Sequence, residues 1–245
     1  AMSSWSSFPR LLLPLLLFLL LGAVGIAALF ALGAGVSVDL KAPDGDGWKV
    51  LLGGLHAGVC LLAPLLIAVI ASRVTEIERA GNGWLLFAAS GTTPGQLCRA
   101  KFLALGAPLA AVCVLWGLCV PVWGALLGVP APVPTGRIVA YTASVCVISL
   151  VILALQLLIS LASDNQLLAV GAGMLGVLLS MIGAMAPTWA QYLTPWTYYS
   201  LVAPMTFTGS DPVYLDAPFP GALVLAIAGA VAFTVITTRL DRKEV

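Results

Sequence analysis

The chain has 245 residues, 61% of them hydrophobic, and a mean hydropathy of +1.08. That leaves too little polar surface to cover a soluble globule, so the composition is that of an integral membrane protein with one transmembrane domain over residues 1–245. Its 11 Lys and Arg nearly balance 10 Asp and Glu, for a net charge of +1, which provides no basic footprint for nucleic acid and no field to steer an acidic substrate.

A window of about 20 residues, the length that crosses a hydrocarbon core, picks out six spans: Leu11–Val36, Val50–Ser72, Phe102–Gly128, Ile138–Ala162, Leu167–Ala186 and Gly221–Thr238, none containing Asp, Glu, Lys or Arg. The first follows Arg10 as a signal core would, but its apolar run exceeds the usual 7–15 residues, so a retained helix is expected. Pro14, Pro64, Pro108 and Pro121 fall inside spans, where neighbouring helices can satisfy the freed carbonyls. Cys60, Cys113, Cys119 and Cys146 lie in apolar stretches and Cys98 in a charged one. With no C-x-x-C or His-paired spacing, they read as packing residues rather than metal or disulfide chemistry.

Basic residues in short loops set the orientation. With the N-terminus inside, Arg10, Arg73, Arg79, Arg99, Lys101, Arg239, Arg242 and Lys243 are cytoplasmic, against Lys41, Lys49 and Arg137 outside. The expectation is a multi-pass protein of the plasma membrane with both termini in the cytoplasm.

Between the second and third spans, positions 73–101 hold four of the eleven basic residues and two of the ten acids. The second helix is expected to continue through Glu76 and Glu78 until Gly81-Asn82-Gly83 turns the chain. Trp84, Leu85, Leu86 and Phe87 then make an apolar patch too short to cross a bilayer, which suits a short helix at the interface or against a partner. Thr93-Pro94-Gly95-Gln96 reads as an N-cap, a proline at N1 and a capping-box Gln, opening the helix that carries Arg99 and Lys101. A solvated linker with positive-inside charges is the plainer reading, although such a linker has no reason to carry Trp and Phe. The other inner connection, Ser163–Gln166, is a tight turn whose ends are spaced as a capping box.

The outer segment 187–220 contains Trp189, Tyr192, Trp196, Tyr198, Tyr199, Phe207, Tyr214 and Phe219 but no Lys or Arg. An interfacial aromatic belt explains Trp and Tyr at one depth, yet the segment is long for a belt. Two polar residues lie within spans. His56 is either a substrate or proton group or, near the outer end of its span, a residue reaching the headgroups. Gln156 suits a hydrogen bond to a neighbouring helix better than a cargo contact.

Six spans and an inner loop reading E-x-E-R…N-x-W-x-L…T…A-K resemble the membrane subunit of an ABC-2 type transporter, most of all the permeases of lantibiotic immunity exporters. The topology covers nearly the whole chain, the motif only Glu76 through Lys101, and proline stands at Pro94 rather than near Gly91 as in that family. The resemblance implies an all-α membrane fold with a cytoplasmic coupling helix between the second and third helices, and re-entrant or interfacial helices between the fifth and sixth. It places Glu76, Glu78, Arg79, Trp84, Leu85, Leu86, Phe87 and Lys101 in coupling to an ATPase. Trp189, Tyr192, Trp196, Tyr198 and Tyr199 would line the pathway or its external gate.

No phosphate-cradling G-x-x-x-x-G-K-[ST] occurs in the sequence. ATP and Mg would therefore be held by separate cytoplasmic ABC ATPase subunits, with no cofactor and no enzymatic step in this chain, and a second permease copy or a homologous permease would complete the pathway. The cargo implied is an amphipathic antimicrobial peptide or related hydrophobic compound, with drugs, haem or polysaccharide precursors as family-level alternatives. Of the competing classes, a secondary transporter would need intramembrane carboxylates, which the spans lack. An intramembrane hydrolase would need a base near its nucleophile, and His56 is the one histidine, far from Ser90. A membrane scaffold without transport is compatible with the sequence.

Overall fold

The computed structural model describes residues 40–41, 45–80, 91–163, 165–209, 211–216 and 219–242, with only the backbone at 77–80 and 219. The first predicted span, Leu11–Val36, and the apolar patch Trp84–Phe87 lie outside the described residues. Among those described, five helices are long and apolar enough to cross a membrane.

Helix α1, Asp46–Ala80, is entered through Gly45 at φ 84°. Asp46 places an acid in its first turn, where the helix dipole favours negative charge, and pairs with Lys49 at 2.5 Å. The helix continues past Ser72 through Glu76 and Glu78, as the sequence indicates, and passes Pro64 without a break. Helix α2, Pro94–Leu127, opens on the expected capping box at Thr93 and closes on Gly128 in the left-handed region. The proline-rich stretch before it delays α3 to Thr135, from which it runs to Ala162. Helix α4 covers Gln166–Ile182 and continues as a single 3-10 turn, Gly183–Met185.

Two short helices follow, α5 (Thr188–Gln191) and α6 (Tyr198–Leu201), then an antiparallel pair, β1 (Met205–Thr208) and β2 (Asp211–Tyr214), and finally α7, Phe219–Arg242. The expectation of a purely helical fold is therefore corrected by one hairpin. Thr208 faces Asp211, so only positions 209 and 210 link the strands, and Gly209 takes φ 68°. A turn of that length with a glycine at positive φ is what a tight hairpin requires. A second correction concerns the turn before α4. Its N-cap is Asn165, whose side chain accepts from Leu167 N at 2.9 Å, while Ser163 Oγ accepts from Asn165 N at 3.1 Å. Because α4 starts at Gln166, that residue is N1 and not the N3 a capping box needs.

Helix α1 packs on α3 and α4, and α3 packs on α2 and α7. The core runs along Leu52, Val59 and Ile67 of α1 and Ile148, Ile152 and Leu157 of α3, all essentially inaccessible. Lipid tails are as apolar as leucine, so such contacts rest on close packing and interhelical hydrogen bonds. Several hydroxyls on these helices bond back to their own carbonyls, as in Thr75 to Ala71 O at 3.0 Å and Thr237 to Phe233 O at 2.9 Å, which satisfies those groups without a partner helix.

Candidate functional site

The first candidate region is the loop-facing end of the bundle, where α1 stops and α2 and α7 meet. The capping box is reciprocal: Gln96 N donates to Thr93 Oγ1 and Thr93 N donates to Gln96 Oε1, both at 3.3 Å. The Thr93 hydroxyl, having accepted from Gln96, donates its own proton to Asp241 Oδ1 at 2.5 Å. Arg99 Nη2 holds the other carboxylate oxygen at 2.9 Å. Gly95 lies so close to Thr237 O and Asp241 that a β-carbon there would collide with both. One acid at the end of α7 is thus built into the first turn and a half of α2. Sequence reasoning missed Asp241, although an acid set among Arg239, Arg242 and Lys243 was a visible signal.

Glu76 faces out from α1 and pairs with Arg73 one turn back at 3.7 Å, both side chains well exposed, a geometry worth about 0–1 kcal/mol. Lys101 faces the interior and is only 4% exposed. Glu78 and Arg79 belong to the last turn of α1, and their side chains, with Trp84, Leu85, Leu86 and Phe87, lie outside the described residues.

The second region is the segment between α4 and α7. The five aromatic residues singled out there separate into two sets. Trp189 is 70% exposed and Tyr192 43%, whereas Trp196, Tyr198 and Tyr199 are buried. Tyr199 shares a 2.8 Å hydrogen bond with Ser149, near the middle of α3. Ser200 donates to Ser180 O at 2.8 Å, and Ser180 donates to Cys60 O of α1 at 2.7 Å. Trp196 lies against Gly176, where any β-carbon would overlap the indole. The segment is therefore wedged among α1, α3 and α4, with Tyr192 and Tyr198 in an edge-on contact at 5.6 Å.

The hairpin lies beyond the wedge, with Met205 over Gly53 of α1. Tyr214 is flanked by Lys49 at 5.5 Å and Arg137 at 4.3 Å from its ring centre, distances at which a cation is drawn to the ring face. Burial pushes the Tyr214 phenol above its usual range, against the pull of Lys49 and Arg137. Arg137 also donates to Leu215 O at 3.3 Å and pairs with Asp216 at 3.5 Å.

Inside the bundle, His56 Nδ1 lies 3.2 Å from the Tyr141 hydroxyl of α3 and its Nε2 3.5 Å from Cys60 Sγ. The imidazole is engaged between α1 and α3. Gln156 is fully buried, and neither amide atom has a hydrogen-bond partner among the described residues. The interhelical bond expected of it is not made there, and leaving such a group unpaired costs about 1–3 kcal/mol. No cluster of three His, Cys, Asp or Glu able to hold a metal occurs among the described residues. No known protein family matches the chain, and no curated protein matches it.

Proposed function

We propose that this chain is the membrane-spanning permease subunit of an ATP-driven ABC-2 type exporter, moving an amphipathic antimicrobial peptide or related hydrophobic compound out of the cell or membrane. The observation that carries the reading is the construction around positions 81–90. The helices on either side, of 35 and 34 residues, each run about 50 Å, roughly 20 Å more than a hydrocarbon core. That length supports a loop held clear of the bilayer, where Trp84 to Phe87 form a coupling helix for a separate cytoplasmic ATPase. With Leu11–Val36 counted, the chain has six spans, both termini cytoplasmic, in the plasma membrane.

The mechanism follows from the attachments. Closure of two ATPases on ATP and Mg displaces the coupling helix, and with it the capped start of α2. Asp241 couples α2 to α7 through Thr93 and Arg99, so the two helices shift together and bias a permease pair between inward and outward states. The wedge of α5 and α6 acts as a re-entrant cap on the external end, with Trp189 and Tyr192 exposed to cargo and Trp196, Tyr198 and Tyr199 anchoring it. The reading is tested by purifying the tagged chain in lipid nanodiscs from its native membrane. A co-purifying ATPase with a G-x-x-x-x-G-K-[ST] loop, whose hydrolysis rises when this subunit is present, supports it. Isolation without any such partner rejects it.

A further inference from the structure

Helix α1 stays continuous through Pro64, yet a proline has no N–H to give, so the carbonyl four residues back, Cys60 O, loses its helical donor. Within a bilayer such a carbonyl has to be met by a neighbouring group. Here the neighbour is Ser180 of α4, whose hydroxyl donates to Cys60 O at 2.7 Å. A bond of this kind does not come automatically with a proline. In α2, Pro121 frees Gly117 O in the same way, and the Thr142 hydroxyl lies against Gly117 without a hydrogen bond among the described residues.

Ser180 Oγ also lies 2.9 Å from Val177 O, one turn back in its own helix. Val177 O is inside α4 and has the helical N–H of Met181 as its donor. Cys60 O is therefore the acceptor that needs the hydroxyl, whereas Val177 O is where the hydroxyl can return when the two helices part. Neither arrangement leaves Ser180 unsatisfied. Packing differs on the two sides of Pro64. Toward the inner end, Gly173 of α4 meets Ala68 with no room for a β-carbon and lies beside Pro64 O. Toward the outer end, α4 stops at Ile182, and the polar ties of α1 run instead to Tyr214 of the hairpin, to Tyr141 of α3 and, through Trp48, to Ala131 O. The wedge reaches the junction through Ser200, which donates to Ser180 O. We infer that α1 is a two-part helix hinged at Pro64, and that the Ser180 hydroxyl is its releasable latch. It holds Cys60 O in the present arrangement and reverts to Val177 O when the outer part of α1, with its hairpin, swings away from α4. The device belongs to this chain alone in a bilayer and does not depend on the transport reading.

A double-mutant cycle on the purified full-length chain in lipid nanodiscs tests it. Pro64→Ala supplies an N–H for Cys60 O and makes the latch redundant. With Pro64 present, Ser180→Ala should lower the thermal midpoint by about 2–4 °C, the shift that one net hydrogen bond produces in a chain of this size. In the Pro64→Ala background the same change should have no measurable effect. The hinge itself is read by spin labels at two exposed positions, Arg73→Cys on the inner part of α1 and Val213→Cys on the hairpin, in a variant lacking the five native cysteines, which keeps the carbonyl at position 60. With Pro64 present, Ser180→Ala should broaden the distance distribution between the labels, and Pro64→Ala should give one narrow population with or without the serine. Equal midpoint losses in both backgrounds, or a distribution that Ser180→Ala leaves unchanged, would overturn the inference. Should Pro64→Ala fail to fold, Ser200→Ala takes its place as the comparison, because it removes a bond at the same junction and spares the latch. It should lower the midpoint without broadening the distribution, and broadening equal to that of Ser180→Ala would overturn the hinge.

Discussion

Asp241 and Thr93, 148 positions apart in sequence, share a 2.5 Å hydrogen bond that joins the end of α7 to the start of α2. The same carboxylate holds Arg99, so removing it frees both the cap and the arginine. Asp241→Ala should speed hydrogen exchange at amides 95–99 while leaving α3 unchanged. In an assembled transporter it should also reduce the ATPase response to cargo without releasing the ATPase. Unaltered exchange at 95–99 would show that α2 does not depend on α7 for its first turn.

The division of the aromatic segment gives two variants with opposite signatures. Tyr199→Phe deletes the bond to Ser149 and should cost about 0.5–1.5 kcal/mol, read as a lower thermal midpoint, with cargo preference unaltered in the protein that remains. Trp189 is 70% exposed, so Trp189→Ala should leave stability within about 0.5 kcal/mol, yet change the relative export of two unrelated cargoes. A Trp189→Ala protein with unchanged export ratios would assign the exposed aromatics to anchoring.

Gly176 faces the Trp196 indole with no room for a side chain. Gly176→Val should displace the wedge and destabilise the fold by about 1–3 kcal/mol, the range for overpacking. Gly171, with open space around it, is the control position. Equal effects at both sites, measured by thermal unfolding in one lipid, would mean that the indole does not fix the wedge.

Much of the helical frame could be read from the sequence, because a run without charge and about 20 residues long has few alternatives in a bilayer. The capping box at Thr93 was equally plain, since Thr-Pro-Gly-Gln satisfies it locally. What escaped prediction depends on residues distant in the chain. Nothing near Asp241 announces that its partners are Thr93 and Arg99, and nothing near Tyr199 names Ser149. The hairpin left a weak signal in Met-Thr-Phe-Thr and Asp-Pro-Val-Tyr around Gly209, obscured by a resemblance that implied helices in this segment. Asn165 displaced Ser163 as the cap because the helix begins at Gln166, two residues later than a Ser163 cap requires, a boundary shift that composition does not resolve.

Orientation can be checked without knowing the cargo. In a variant lacking the five cysteines, Asp216→Cys occupies a side-chain position 98% exposed, and Arg73→Cys one 67% exposed, toward opposite ends of the bundle. An impermeant thiol reagent added to intact cells should label the first and spare the second until the membrane is opened. Labelling of Arg73→Cys from outside would reverse the topology.

Whether positions 76–101 receive an ATPase is read from ATP hydrolysis per assembled complex, with and without cargo, for Trp84→Asp and Glu78→Ala. Neither side chain belongs to the described core, and the protein should reach the membrane in normal amounts. The account predicts that Trp84→Asp releases the ATPase, and that Glu78→Ala retains it but loses the cargo-dependent rise in hydrolysis. Normal association and a normal cargo response in both variants would contradict it.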